Sequence, residues 1–270
     1  MLASCSFRGV TRDKDIVYLE EQQITTVSEQ GLNIFSPRRA KGLQEVFVFI
    51  HGGNWNSGRK GLYSFLGNRM ARKGVVTVII DYPLSPAVTY EEMAKASAAA
   101  VSWVHENIRD YGGNPDRIFV SGHSAGGHLA ALISVRDDYF SSQGKINPIK
   151  GAIMIDAAGL DMYGYLKESN YPEDNTYIKT FTNDPDTWKE ASPMYHLSDS
   201  MPNFLIYRGG ETYKSIIKSN EKFVTAMGEV VPEVNYTVQS GKKHLPMITQ
   251  FFWTWNSIYD EILNFMEMKE

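Results

Sequence analysis

Arg117-Ile118-Phe119-Val120-Ser121-Gly122-His123-Ser124-Ala125-Gly126-Gly127-His128 decides how this chain of 270 residues is read. Residues 117–121 have the apolar, β-rich character of a short buried strand, and residues 128–135 follow as a helix. Between them stands Gly122-x-Ser124-x-Gly126, the pattern of a nucleophile elbow. Such a turn is so sharp that Ser124 must adopt a strained backbone, and glycine at 122 and 126 removes side chains that would collide. It lifts the Ser124 hydroxyl toward solvent at a helix N-terminus, where the dipole favours developing negative charge. A bare GxSxG arises often by chance; its place between a strand and an alanine-rich helix makes it specific. The competing reading is a tight turn with an idle serine.

A second pattern lies upstream. Residues 46–50, Val-Phe-Val-Phe-Ile, form a continuous β-rich run expected of a strand buried on both faces, and His51-Gly52-Gly53-Asn54-Trp55 follows at once. Two glycines let backbone amides approach a substrate carbonyl, so the amides of Gly53 and Asn54, with Ala125 after the serine, are the candidate oxyanion donors. The bland alternative is a strand-exit turn.

Around these motifs apolar runs alternate with helical patterns, the signature of a mostly parallel sheet covered by helices. Residues 24–35 read as an early strand or hairpin, 60–72 as helix, 75–80 as strand, and 90–111 as an alanine-rich helix. Strands are expected at 149–156, 203–207 and 234–239, a helix at 215–227, and one aromatic-rich helix from 246 to 270. No repeat or Gly/Ser linker divides the sequence, so residues 1–270 read as one domain. Residues 161–199, rich in Tyr, Asn, Asp and Pro, are too long for a plain loop and read as a small lid insertion.

A net charge of -4, with no basic block, argues against a nucleic-acid partner. Cys5 is the one cysteine, so neither an intrachain disulfide nor a thiolate zinc cluster can form. Leu2-Ala3-Ser4-Cys5 resembles a bacterial lipobox, but the charged and apolar regions that precede such a site are missing. Localisation therefore stays open between the cytoplasm and, if the match is the remnant of an export signal, the bacterial envelope.

The two motifs together resemble those of α/β-hydrolase esterases of the hormone-sensitive-lipase and feruloyl-esterase-like group, and kynurenine formamidases that carry HGGxW. Asp81-Tyr82-Pro83-Leu84-Ser85-Pro86, Gly113-Asn114-Pro115-Asp116-Arg117-Ile118 and Ala191-Ser192-Pro193 extend the resemblance, with Pro83 where the group has arginine. It implies an α/β-hydrolase fold, an oxyanion hole at Gly53 and Asn54, and a triad in the chain order serine, acid, histidine. Of the histidines at 51, 105, 123, 128, 196 and 244, only His196 and His244 lie well beyond Ser124. His196 precedes the strand that should bear the acid, which leaves His244 as general base. His51 is expected to brace the oxyanion loop, His123 to pack under the elbow, and His105 and His128 to ride helices.

The group places its acid a few residues after the strand at 203–207. There Tyr207-Arg208-Gly209-Gly210-Glu211-Thr212 offers Glu211, with Asp199 and Asp156 as the other carboxylates open to the role. Trp55 and Tyr82 are the candidate substrate-binding residues, with Tyr163, Tyr165 and Tyr171 as further pocket aromatics. The resemblance implies a small-molecule ester substrate; residues 161–199, partly covering the mouth, favour small or aromatic esters, and the acyl-transfer chemistry calls for neither metal nor organic cofactor. An arylformamidase and a catalytically dead binding protein on the same scaffold are the rival readings.

Overall fold

The computed structural model describes residues 9–19 and 29–268. Leu2-Ala3-Ser4-Cys5 and the first part of the strand expected at 24–35 lie outside the described residues. Eight strands form one sheet: β1 (Val10–Leu19), β2 (Gln30–Pro37), β3 (Gln44–Ile50), β4 (Val76–Ile80), β5 (Gly113–His123), β6 (Ile149–Ile155), β7 (Asn203–Gly209) and β8 (Asn235–Gln239). Their order is β1-β2-β4-β3-β5-β6-β7-β8. β1 and β2 are antiparallel, β2 meets β4 antiparallel, and the pairs from β4 to β8 are parallel.

Strands buried on both faces carry apolar residues at consecutive positions, and alternate residues serve opposite layers. Val46, Val48 and Ile50 of β3 join a core with Val76, Val78, Ile118, Val120 and Met154. Phe47 and Phe49 point the other way, into a core with Ile79, Phe119, Ile153 and Tyr207. The first face is covered by α2 (Tyr90–Asn107), α3 (Ala125–Val135) and α8 (Lys214–Gly228), the second by α1 (Ser64–Arg72) and the C-terminal helices. α2 starts at a capping box in which Thr89 and Glu92 satisfy each other's backbone amides. No helix among the described residues is long and apolar enough to cross a membrane.

Residues 161–199, expected as a lid, hold α5 (Met162–Glu168), α6 (Thr176–Phe181) and α7 (Pro185–Glu190), after the four-residue α4 (Asp138–Ser141). Asp161 caps α5 by accepting from Gly164 N at 2.8 Å, and its carboxylate pairs with Lys222 of α8. One expectation fails at the C-terminus. The segment from 246 onward is two helices, α9 (His244–Thr249) and α10 (Ile258–Glu267), separated by a 3-10 turn at Gln250–Phe252 and an irregular stretch. Asn256 Oδ1 accepts from Ile258 N at 3.1 Å, a local bond that competes with helix continuation and restarts the chain at α10.

β3 and β5 are neighbours, with Ile50 opposite Gly122. β3 also pairs with β4 on its other side, so the chain changes winding direction here, where open α/β sheets form a crevice. The loop after β3 and the turn after β5 therefore emerge side by side.

Candidate active site

Ser124 has φ +56 and ψ −121, a conformation that non-glycine residues rarely hold. Its neighbours explain how the strain is imposed. Ser124 N donates to Ile155 O at 3.2 Å, while Ser124 O accepts from His128 N and Ala158 N, each at 3.1 Å. A Cβ on Gly122 would overlap the backbone of Gly126, and one on Gly126 the carbonyl oxygen of Ile50. Gly52 approaches from the other side: a Cβ there would lie 2.8 Å from His123 O and 3.3 Å from Ser124 Cβ.

His244, the first residue of α9, brings Nε2 to 2.9 Å from Ser124 Oγ. Its Nδ1 lies 2.6 Å from Asp156 Oδ2. A carboxylate only accepts, so Nδ1 carries the proton, and Nε2 is left free to accept from the serine hydroxyl. Asp156 follows β6 with φ +48 and is fully buried. Gly209 N donates to its Oδ1 at 2.8 Å, and Thr212 Oγ1 donates to Oδ2.

Glu211, the acid expected from the sequence, is not the carboxylate beside His244. Its backbone amide is tied to Lys242 O at 2.9 Å and its side chain is exposed. The turn after β7 supplies donors to Asp156 instead of a carboxylate to the imidazole. Asp156, one of the two alternatives, holds that position, and Asp199 is exposed in the segment before β7.

His123 adds a contact that the sequence did not signal. Its ring lies 4.5 Å from that of His244, and its Nε2 donates to the His244 carbonyl at 3.1 Å. Burial, reinforced by His244, pushes the His123 pKa down to about 3, so the ring is a neutral donor.

The loop after β3 coils around one carbonyl. Gly53 O accepts from Asn56 N at 3.2 Å, Ser57 N at 3.0 Å and Ser57 Oγ at 2.8 Å. Gly53 has φ +135, where an added Cβ would overlap Ser57 O. His51 braces the loop as expected: Nδ1 donates to Gly52 O at 2.9 Å, and Tyr82 OH donates to His51 O at 3.1 Å. Lys60 Nζ pairs with Asp81 at 2.7 Å, tying the downstream turn to the end of β4. Gly53 and Asn54 line the same cleft as Ser124. Ala125 opens α3, so its amide lies outside the helical ladder.

That cleft has a volume of about 770 Å³, and His244, Tyr165, Tyr177, Tyr213 and Leu245 are among its walls. The expected substrate contacts Trp55 and Tyr82 are not. Both are almost fully buried, at 1% and 2% exposure. Positive φ at Asn54 and Trp55 turns the indole inward, where Nε1 donates to His128 Nδ1 at 3.1 Å. Tyr82 lies over the His51 ring at 4.4 Å. Of the three further tyrosines, Tyr165 reaches the cleft and Tyr171 backs it through a 2.6 Å hydroxyl contact. Tyr177, Tyr213 and Leu245 were missed; Leu245 follows His244 directly, the only one with a sequence cue. Among the described residues no group of three or more His, Cys, Asp or Glu is placed to hold a metal ion.

The BD-FAE family model matches residues 32–224. Esterase LipQ of Mycobacterium tuberculosis is 30% identical over 173 residues, covering 61% of this chain and 41% of its own length. A probable isoprenylcysteine alpha-carbonyl methylesterase of Arabidopsis thaliana, ICMEL1, is 24% identical over 81% of this chain and 49% of its own length. The chain spans about half the length of the curated relatives it matches. In fold it is similar to a propionate-bound esterase from Thermogutta terrifontis (TM-score 0.75, 20% identity, 98% and 96% of the two chains). A truncated carbohydrate esterase from gut microbiota superposes with TM-score 0.81 at 17% identity, covering 98% and 99%.

Proposed function

This chain belongs to the BD-FAE family and has the α/β-hydrolase fold, and from that premise we propose that it is a serine carboxylesterase using Ser124, His244 and Asp156. The observation that carries the reading is the unbroken chain from Ser124 Oγ through the His244 ring to Asp156, with contacts of 2.9 and 2.6 Å.

His244 Nε2 takes the hydroxyl proton as Ser124 Oγ bonds to the ester carbonyl carbon. The imidazolium that forms is held by Asp156 through Nδ1–H. The amides of Gly53, Asn54 and Ala125 receive the oxyanion, each such donor worth roughly 10²–10³ in rate. The tetrahedral adduct expels the alcohol, which takes the proton from His244. Water then attacks the acyl-serine by the same route and releases the carboxylic acid. Ester and water go in; acid and alcohol come out.

The test is covalent labelling by a fluorophosphonate probe read by intact mass and peptide mapping, followed by a panel of p-nitrophenyl esters with N-formylkynurenine alongside. A single adduct on Ser124 and turnover of the esters are expected. Folded protein that takes up no probe is a binding protein on this scaffold, and faster turnover of the formamide than of every ester makes it an arylformamidase.

A further inference from the structure

Beside the Ser124 cleft lies a second, much smaller space of about 30 Å³. Ala158, Tyr165, Tyr177, Ser215 and Ile216 are walls of both. Ala158 N donates to Ser124 O at 3.1 Å, so this nook begins at a residue in direct contact with the elbow. Trp55 and Met162, with Gly159, Asp161 and Ser219, are walls of the nook alone. Trp55 cannot swing aside: its Nε1 is bonded to His128, and its ring meets Phe181 edge-on at 5.0 Å and Tyr177 at 5.9 Å. At Gly159 a Cβ would come within 2.9 Å of Met162 Cε and 3.2 Å of Trp55 Cζ2, so the floor is packed to contact.

Resting on the reading of Ser124 as nucleophile, we propose that this nook is the acyl pocket, that Trp55 and Met162 set its depth, and that the substrates are esters of short acyl groups. The direction follows from the proton. A leaving alcohol must face His244 Nε2 to collect its proton, and His244 lines the open cleft but not the nook. With the carbonyl oxygen toward Gly53 and Asn54, the remaining substituent on the reacting carbon, the acyl chain, is directed away from His244. One water needs about 10–15 Å³ of such space, so the nook admits roughly two heavy atoms beyond the carbonyl. The alcohol side opens into the cleft of about 770 Å³ and is free to be bulky.

The experiment measures kcat/KM for p-nitrophenyl esters from acetyl to octanoyl in the parent protein, in Met162→Ala and in Ile216→Ala, the last opening the nook from a different wall. Circular dichroism establishes that each variant is folded. A methylene forced against a packed wall such as that of Trp55 and Met162 discriminates by roughly 10–200-fold. The parent is therefore expected to lose at least about tenfold between propanoyl and hexanoyl. At least one folded variant should raise the hexanoyl-to-acetyl ratio by about tenfold or more. A parent that cleaves hexanoyl as well as acetyl, or variants whose ratio stays at the parental value, overturns the acyl-pocket assignment while Ser124 labelling still stands. A parent that cleaves no ester and leaves Ser124 unlabelled overturns the nucleophile reading itself, and this assignment with it.

Discussion

Asp156 and His244 are 88 positions apart in the chain and 2.6 Å apart at Oδ2 and Nδ1. The relationship is made by two strand ends. β6 delivers Asp156, whose backbone amide donates to Tyr207 O of β7 at 2.7 Å, and the end of β7 with the turn after it wraps Gly209 N and Thr212 Oγ1 around the carboxylate. A fully buried carboxylate needs donors on both oxygens, and this one has them. The cradle fixes the side of Asp156 that faces His244 before any substrate arrives.

Exchanging the acid tests that relationship. Asp156→Asn keeps the shape but presents an amide to Nδ1, so the imidazole loses the tautomer that leaves Nε2 as acceptor. We expect kcat to fall by about 10⁴ with the fold retained. Glu211→Gln, at an exposed side chain, should leave kcat/KM close to the parental value. Steady-state kinetics on a p-nitrophenyl ester compares them directly. A loss of that size in Glu211→Gln, with Asp156→Asn near the parental value, would return the role to Glu211.

Sequence and structure agree where a residue's task follows from local pattern. Residues 46–50 and 75–80 read as strands because β-branched and aromatic side chains fill consecutive positions, and the sheet buries both of their faces. Ser124 is legible because only glycine at 122 and 126 permits the bend. Asp156 was one carboxylate among three, since its position depends on φ +48 at a strand end and on donors from β7. Trp55 is placed by backbone for a related reason: side-chain type reports size, while the positive φ values at 54 and 55 turn the ring out of the open cleft and into the wall of the nook beside it. The segment from 246 onward reads as one helix because its aromatic content continues through the break, where Asn256 Oδ1 accepts from Ile258 N.

Buried histidines make stability depend on pH, and His51, His123 and His128 are all held below the usual imidazole range by burial. Burial pushes His123 down to about 3 and His128 to about 4, while in the unfolded chain both take up a proton near 6.5. The unfolded state then binds more protons below pH 6.5, so stability is complete above that value and lost as pH falls toward 4 and 3. Each histidine costs about 1.4 kcal/mol per pH unit in that window, or about 4 kcal/mol for the pair between pH 7 and pH 5. His128→Gln keeps a donor for Ala191 O and an acceptor for Trp55 Nε1 but cannot titrate. Urea unfolding at the two pH values should show the variant losing about 2 kcal/mol less than the parent. An identical loss in both proteins would show that His128 does not contribute.

The elbow's glycines are required by space, and one substitution separates that requirement from glycine content in general. A Cβ on Gly126 would overlap the Ile50 carbonyl oxygen and lie 2.5 Å from His51 O, so the first turn of α3 rests on the strand that launches the oxyanion loop. Gly126→Ala must push the two apart, at a cost of about 1–3 kcal/mol or more, and any folded fraction carries Ser124 displaced from Gly53 and Asn54. Gly228 closes α8, and a Cβ there meets nothing within 4 Å. Gly228→Ala is expected to raise stability by about 0.5–1 kcal/mol, because alanine loses less backbone freedom in a helix, with turnover unchanged. Thermal unfolding and ester kinetics on the pair decide the matter. A Gly126→Ala protein with parental melting temperature and parental kcat would mean that the elbow has room to spare, and that the contact between α3 and the end of β3 does not set the distance from nucleophile to amides.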